Sequence, residues 1–193
     1  MTSPTATDPL AAAAVHRSPR VGVAGMWTFL ATDAMGFAGL FAAYGVLRVR
    51  ADSWPDPRAH LGLGLAAAMT FALLASAFTM TEAARAATAR ARLGWLVATA
   101  GLGLAFLGAE IVEYRRLWSD AEPVRVASGL YGGTFYALTG YHGLHVAAGV
   151  VSLLAIALRG ARRRTVEVVA LYWHFVDLAW MPIFTFLYLM PAR

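Results

Sequence analysis

Five long apolar runs divide the chain, and short polar connections separate them. Each run is close to the ~20 residues that a helix needs to cross ~30 Å of hydrocarbon at ~1.5 Å per residue. No connection is long enough to fold by itself. The pattern predicts an all-α integral membrane bundle of five transmembrane helices in one domain, 21–193, with helices at about 21–47, 61–81, 93–113, 130–158 and 168–190.

The composition agrees with a membrane protein. Of the 193 residues, 59% are hydrophobic and 14% are charged, and a soluble domain of this size cannot bury so much apolar surface. There is no cysteine, which removes disulfides and thiolate metal sites from consideration. The mixed, polar segment 1–20 lacks the features of a cleaved signal peptide and is predicted to be a disordered tail.

The positive charge indicates membrane topology rather than nucleic acid binding. All sixteen basic residues are arginines, and most lie in the connections between apolar runs, with no basic stripe carrying interleaved aromatic residues. Short loops rich in arginine stay in the cytoplasm. The side that holds the N-terminus has more arginines than the other side. The N-terminus is therefore predicted to be cytoplasmic and the C-terminus to lie outside.

Two carboxylic acids lie within apolar runs, where an ionisable side chain is costly and marks a candidate site. Asp33 is in the middle of the first run, and burial there favours its protonated form. It is expected to act either as a hydrogen-bonding group between helices or as a proton-exchanging group. Glu110 lies about one turn inside the end of the third run. Its interpretations are a structural carboxylate, one that reaches water by snorkelling, or one that handles protons.

Four further polar side chains lie on the fourth and fifth runs. His142 and His145 are three residues apart, as are His174 and Asp177, and residues at this spacing share a helix face. A metal needs three or four ligands in fixed geometry, so a site for metal or haem is not predicted. Instead, these groups are predicted to pair across the fourth and fifth helices, supplying hydrogen bonds that lipid cannot. With Glu110 they form a predicted interhelical polar network.

Tryptophans and small residues indicate how the helices are placed. Trp173 and Trp180, like the other tryptophans near helix ends, are typical of the interface between membrane and water. A stripe of small residues on the third run, which includes Gly94, Gly101 and Gly108, predicts that another helix packs closely there.

Through the segments TGYHGLH in the fourth run and YWHFVD in the fifth, the chain resembles subunit III of the haem–copper respiratory oxidases. The combination of TGYHGLH with YWHFVD at this separation is far more specific than a lone pair of histidines. The similar segments cover most of the chain and correspond to the first core helix, the glutamate-bearing third core helix, the signature helix and the last helix of that family: GMWTFLATDAMGFAGLFAAY, LGAEIVEYRRL, GLYGGTFYALTGYHGLHVAAGVV and ALYWHFVDLAWMPIFTFLYL.

The resemblance implies a subunit without a redox centre. It would bind no cofactor itself and lie beside the catalytic oxidase subunit I, with haem and copper in partner subunits, in a bacterial inner membrane. The family's acidic residue in the first core helix, usually Glu, is associated with proton uptake and corresponds here to Asp33, which is one methylene shorter. Arg159 matches an arginine that holds a lipid phosphate, which implies bound phospholipid.

Two alternatives stay open at the level of sequence. One is the accessory membrane subunit associated with nitric oxide reductase, which has a closing helix similar to YWHFVDLAW. The other is a small proton or ion transporter that uses Asp33 and Glu110, although the chain shows neither an inverted repeat nor paired broken helices. Co-purification with a haem-bearing subunit would distinguish the oxidase and nitric oxide reductase hypotheses from the transporter hypothesis.

Overall fold

A computed structural model of the protein describes residues 19–56, 61–119, 126 and 129–190. The first 18 residues of the predicted tail lie outside the described residues, whereas Pro19 and Arg20 already belong to the first helix. Five helices in the described chain are long and apolar enough to cross a membrane, so the predicted all-α class is confirmed. They are α1 (Pro19–Arg50), α2 (Leu63–Arg85), α3 (Ala89–Ser119), α4 (Leu130–Leu158) and α5 (Arg163–Phe184), and α5 continues into a π-helical turn (Thr185–Leu189).

Helices α1 and α3 extend beyond both ends of their apolar runs, and α5 begins before its run, because arginine and glutamate are good helix formers. Helix α3 gains four residues before position 93 and six after position 113, so its acidic residues lie deeper in the helix than the sequence suggested. Arg92 is buried near the start of α3. Its two terminal nitrogens donate to the carbonyl oxygens of Ala86 at 2.9 Å and Ala161 at 3.0 Å, which ties together two neighbouring loops.

Trp173 of α5 packs at the centre of the bundle, between α2, α3 and α4. Its indole is fully buried, and its Nε1 donates to Ser76 Oγ of α2 at 2.9 Å. A Cβ added at Gly103 of α3 would lie 2.7 Å from the ring, and one at Gly149 of α4 would lie 2.8 Å from it. One side chain therefore contacts three other helices, and two glycines make room for it.

The prediction that Trp173 and Trp180 lie at the membrane interface is wrong. Trp180 is also fully buried, and its Nε1 donates to Thr70 Oγ1 of α2 at 2.9 Å. A buried indole needs such a partner for its N–H. The predicted packing of a helix on the stripe of small residues of α3 is also wrong for the part of the chain that the structure describes, where added Cβ atoms at Gly94, Gly101 and Gly108 would meet nothing within 4 Å.

Helix α1 lies at the edge of the bundle, where it packs mainly against α4 and α5. At its far end, Tyr44 donates its hydroxyl to the Phe186 carbonyl oxygen in the π-helical turn at 2.7 Å. That turn follows Pro182, which lies inside α5 and lacks the N–H of a regular helical bond. Much of the outer surface of α1 is apolar and exposed, including Trp27 and Met35.

Candidate functional site

The first polar cluster joins α1 to α4 through Asp33, Tyr141 and His145. Asp33 Oδ1 lies 3.0 Å from His145 Nε2 and accepts a hydrogen bond from the Tyr141 hydroxyl at 3.1 Å. The Asp33 side chain is only 8% exposed. The ring of Phe37 packs against both Tyr141 and His145. Two side chains of α4 thus hold the Asp33 carboxyl of α1 in place.

The hydrogen bond at the second ring nitrogen of His145, Nδ1, limits the protonation states that the ring can have. His145 Nδ1 lies 2.7 Å from the Tyr141 carbonyl oxygen, and a carbonyl only accepts, so Nδ1 must carry a hydrogen. If the ring is neutral, Nε2 has no hydrogen and Asp33 must donate one. If the ring is charged, Nε2 donates to an ionised Asp33. In both cases one proton lies between Asp33 Oδ1 and His145 Nε2, and the pair has no net charge.

The second polar cluster joins α3 to α4 on the opposite side of the signature helix. Tyr114 lies between Glu110 Oε1, at 3.1 Å, and Thr139 Oγ1, at 2.7 Å. A Cβ added at Gly143 would lie 2.5 Å from Glu110 Oε2, so the glycine makes room for the carboxyl. Gly143 and His145 differ by about 200° around the helix. Helix α4 therefore presents two polar clusters at nearly the same depth on opposite faces.

Glu110 and Glu113 are both buried, which excludes the snorkelling interpretation of Glu110. Their residues are 6% and 2% exposed. Glu113, the last residue of the predicted third helix, lies inside the bundle and accepts a hydrogen bond from the Tyr188 hydroxyl at 2.6 Å. Glu110, Glu113 and Tyr114 are spaced three and four residues apart and so share one face of α3. This spacing is the sequence feature from which the cluster could have been predicted.

The pairing predicted across α4 and α5 does not occur. His145 pairs with α1 instead, and His174 Nε2 lies 3.5 Å from Thr81 Oγ1 of α2. His142 packs against the rings of Phe106 and Trp180, and neither of its ring nitrogens has a hydrogen bond within the described chain.

Asp177 is buried on α5 and also lacks a hydrogen bond. Ser76 Oγ lies near its carboxyl, but that hydroxyl donates to the Leu73 carbonyl oxygen. Both carboxyl oxygens of Asp177 are therefore without a partner among the described residues. Five side chains make up the predicted network. Among the described residues, two of them have a hydrogen bond of their own to another helix: His145 to α1 and His174 to α2.

No group of three or more His, Cys, Asp or Glu that could hold a metal occurs in the described parts of the chain.

Arg159 lies just after α4 and, together with Arg162, Ile156 and Thr165, lines a cavity of about 360 Å³. Two guanidinium groups at one cavity can bind an anion by charge-assisted hydrogen bonds.

This arrangement defines a multi-pass helical membrane protein whose polar groups lie between its helices. A family model described as cytochrome c oxidase subunit III matches residues 12–191. The chain belongs to the cytochrome c oxidase subunit III family, and it is an accessory subunit of a haem–copper oxidase. The subunits of this family carry no redox centre.

Three relatives show how far the similarity extends. The chain is 36% identical over 181 residues to a probable cytochrome c oxidase subunit 3 of Mycobacterium bovis, with 88% of each chain covered. It is 32% identical over 186 residues to cytochrome c oxidase subunit 3 of Thermostichus vulcanus, covering 91% of this chain and 90% of the other. It is 34% identical over 188 residues to cytochrome bo(3) ubiquinol oxidase subunit 3 of Pseudomonas aeruginosa, covering 92% and 88%. These relatives favour the oxidase hypothesis over the two alternatives.

Proposed function

We propose that this subunit supports proton uptake by the oxidase through the proton shared by Asp33 and His145. The observation that carries the proposal is the contact of 3.0 Å between Asp33 Oδ1 and His145 Nε2, with Nδ1 held by the Tyr141 carbonyl oxygen. A proton in such a pair moves between two groups without creating net charge in the membrane. Because a net charge is costly at a buried site in the membrane, release of this proton has to be coupled to uptake of another one, as a proton relay requires.

The partner in this proposal is the catalytic subunit, which would hold the haem and copper. Helix α1 is the natural contact element because it lies at the edge of this bundle and carries Asp33 on its inner side. Its exposed apolar residues, such as Trp27 and Met35, are suited to lipid or to a neighbouring helix. We place the complex in a bacterial inner membrane, with the N-terminus of this chain in the cytoplasm.

Carbodiimide modification tests this function. A hydrophobic carbodiimide reacts with a protonated carboxyl in the membrane, so it is expected to label Asp33 in the purified oxidase complex and to slow turnover at high pH. The Asp33→Asn complex should be unlabelled at this position and insensitive to the reagent. Peptide mapping by mass spectrometry and oxygen consumption are the measurements. Labelling of Asp33 without any change in turnover would contradict a role in proton uptake.

Arg159 is proposed to hold the phosphate of an anionic phospholipid in the cavity that it shares with Arg162. Arg159→Ala is expected to remove one tightly bound phospholipid from the purified complex. Arg163→Ala is the matched control, because Arg163 is exposed and forms a surface pair with Glu167 at 3.1 Å. Native mass spectrometry would measure the lipid content. Equal lipid loss in both variants, or in neither, would exclude a specific role for Arg159.

A further inference from the structure

The hydrogen bonds around Glu110 determine how many hydrogens the second cluster must contain. Three oxygen–oxygen contacts follow one another: Glu110 Oε1 to Tyr114 Oη at 3.1 Å, Tyr114 Oη to Thr139 Oγ1 at 2.7 Å, and Thr139 Oγ1 to the Phe135 carbonyl oxygen at 2.8 Å. Three ordinary hydrogen bonds need one hydrogen between the oxygens of each contact. Tyr114 and Thr139 supply one hydrogen each, and the carbonyl supplies none. The group in these contacts that can carry a third hydrogen is the Glu110 carboxyl.

We propose that Glu110 is a proton-binding site whose carboxyl stays protonated in the folded bundle. Glu110 then donates to Tyr114, Tyr114 donates to Thr139, and Thr139 donates to the Phe135 carbonyl oxygen. The three hydrogens fill the three contacts in one direction. If Glu110 were ionised, two hydroxyl hydrogens would have to serve all three contacts, and at least one contact would have no hydrogen bond of its own.

The surroundings of the carboxyl agree with this proton count. Glu113 lies three residues further along the same helix face and is also buried, and two neighbouring carboxyls do not both ionise readily. Neither Glu110 nor Glu113 has an ion pair within 4 Å among the described residues; Arg116, three residues beyond Glu113 on α3, is the cation that acts on Glu113. Glu113 needs no proton of its own, because the Tyr188 hydroxyl supplies the hydrogen for its contact of 2.6 Å.

This site is separate from the proposed proton exchange at Asp33. It lies between α3 and α4, whereas Asp33 lies between α1 and α4. No hydrogen bond joins Glu110 to the first cluster within the described parts of the chain; its hydrogen bonds lead through Tyr114 to Thr139 and the Phe135 carbonyl oxygen. The Glu110 site can therefore exist whether or not Asp33 supports proton uptake, and the two proposals fail independently.

Infrared spectroscopy of the purified oxidase complex tests the Glu110 proton. The difference between wild type and Glu110→Gln is expected to show the loss of one carbonyl band of a protonated carboxylic acid, and this band should shift in D2O. Glu113→Gln is the matched control and is expected to remove a carboxylate band instead. Loss of a carboxylate band in Glu110→Gln, with no change in the carbonyl region, would overturn the proposal.

A second pair of variants keeps the test decisive if Glu110→Gln does not assemble. Thr139→Val removes the acceptor of the Tyr114 hydrogen, which can then turn toward Glu110, so the carbonyl band should move or disappear. Thr139→Ser keeps the hydroxyl and should leave the band unchanged. Identical carbonyl spectra in Thr139→Val and wild type would contradict the directed hydrogen-bond chain.

Discussion

Replacing Trp173 by alanine is expected to lower the free energy of unfolding by about 3–5 kcal/mol, because a large buried ring is lost and a cavity remains. The indole is fully buried, fits against Gly103 and Gly149, and donates to Ser76. A loss of this size is a large fraction of the ~5–15 kcal/mol that stabilises a typical folded protein. We therefore expect little folded subunit in the membrane and a lower midpoint of thermal unfolding in mild detergent.

Trp27→Ala is the control for this effect. Trp27 is also a tryptophan within a membrane span, but it is 59% exposed in this subunit. Its removal creates no enclosed cavity in the bundle, so the thermal midpoint should change much less than in Trp173→Ala. Equal loss of folded protein in the two variants would mean that the packing of the Trp173 ring does not stabilise the bundle more than an exposed tryptophan does.

His145→Leu is expected to destabilise the subunit more than His142→Leu, although both histidines lie on the signature helix. His145→Leu removes the partner of Asp33 and leaves a buried carboxyl held only by the Tyr141 hydroxyl. Leaving a buried polar group without its partner costs about 1–3 kcal/mol, and more for a charged group. His142 has no hydrogen bond within the described chain. Leucine at that position therefore leaves no new unpartnered group.

The comparison is made on the amount of assembled oxidase complex and on its thermal midpoint. The sequence alone assigns both histidines to pairs across the fourth and fifth helices and therefore does not distinguish them. The structure separates them, since His145 faces α1 and His142 faces aromatic rings of α3 and α5. If His142→Leu were the more damaging variant, the assignment of these two environments would be wrong.

The membrane spans could be predicted from the sequence because hydrocarbon sets the length and polarity of a crossing helix. Helix α4 has the bounds of its apolar run, 130–158. The rotation of each helix could not be predicted in the same way. A lipid-facing surface and a buried surface are both apolar, so the glycines on the outside of α3 resemble those that contact Trp173.

The partners of the polar side chains were also beyond the sequence. Asp33 and His145 were both identified as candidates, but their contact depends on how α1 packs against α4. Glu113 is the last residue of the predicted third helix, whereas α3 continues for six further residues to Ser119, which places Glu113 inside the helix. Spacing along one helix shows which residues share a face, and only the assembled bundle shows what that face meets.

The most direct measurement of the proposed proton uptake is the time course of oxygen consumption by complexes with Asp33→Asn and Asp33→Glu across a range of pH. Asparagine keeps the size of the side chain and removes its titration, whereas glutamate keeps the titration. We predict that Asp33→Asn assembles normally but turns over several-fold more slowly, or inactivates sooner, at high pH, where protons are scarce. Asp33→Glu should behave like the unchanged complex. Equal turnover and equal lifetime of the Asp33→Asn and unchanged complexes at high pH would contradict the account.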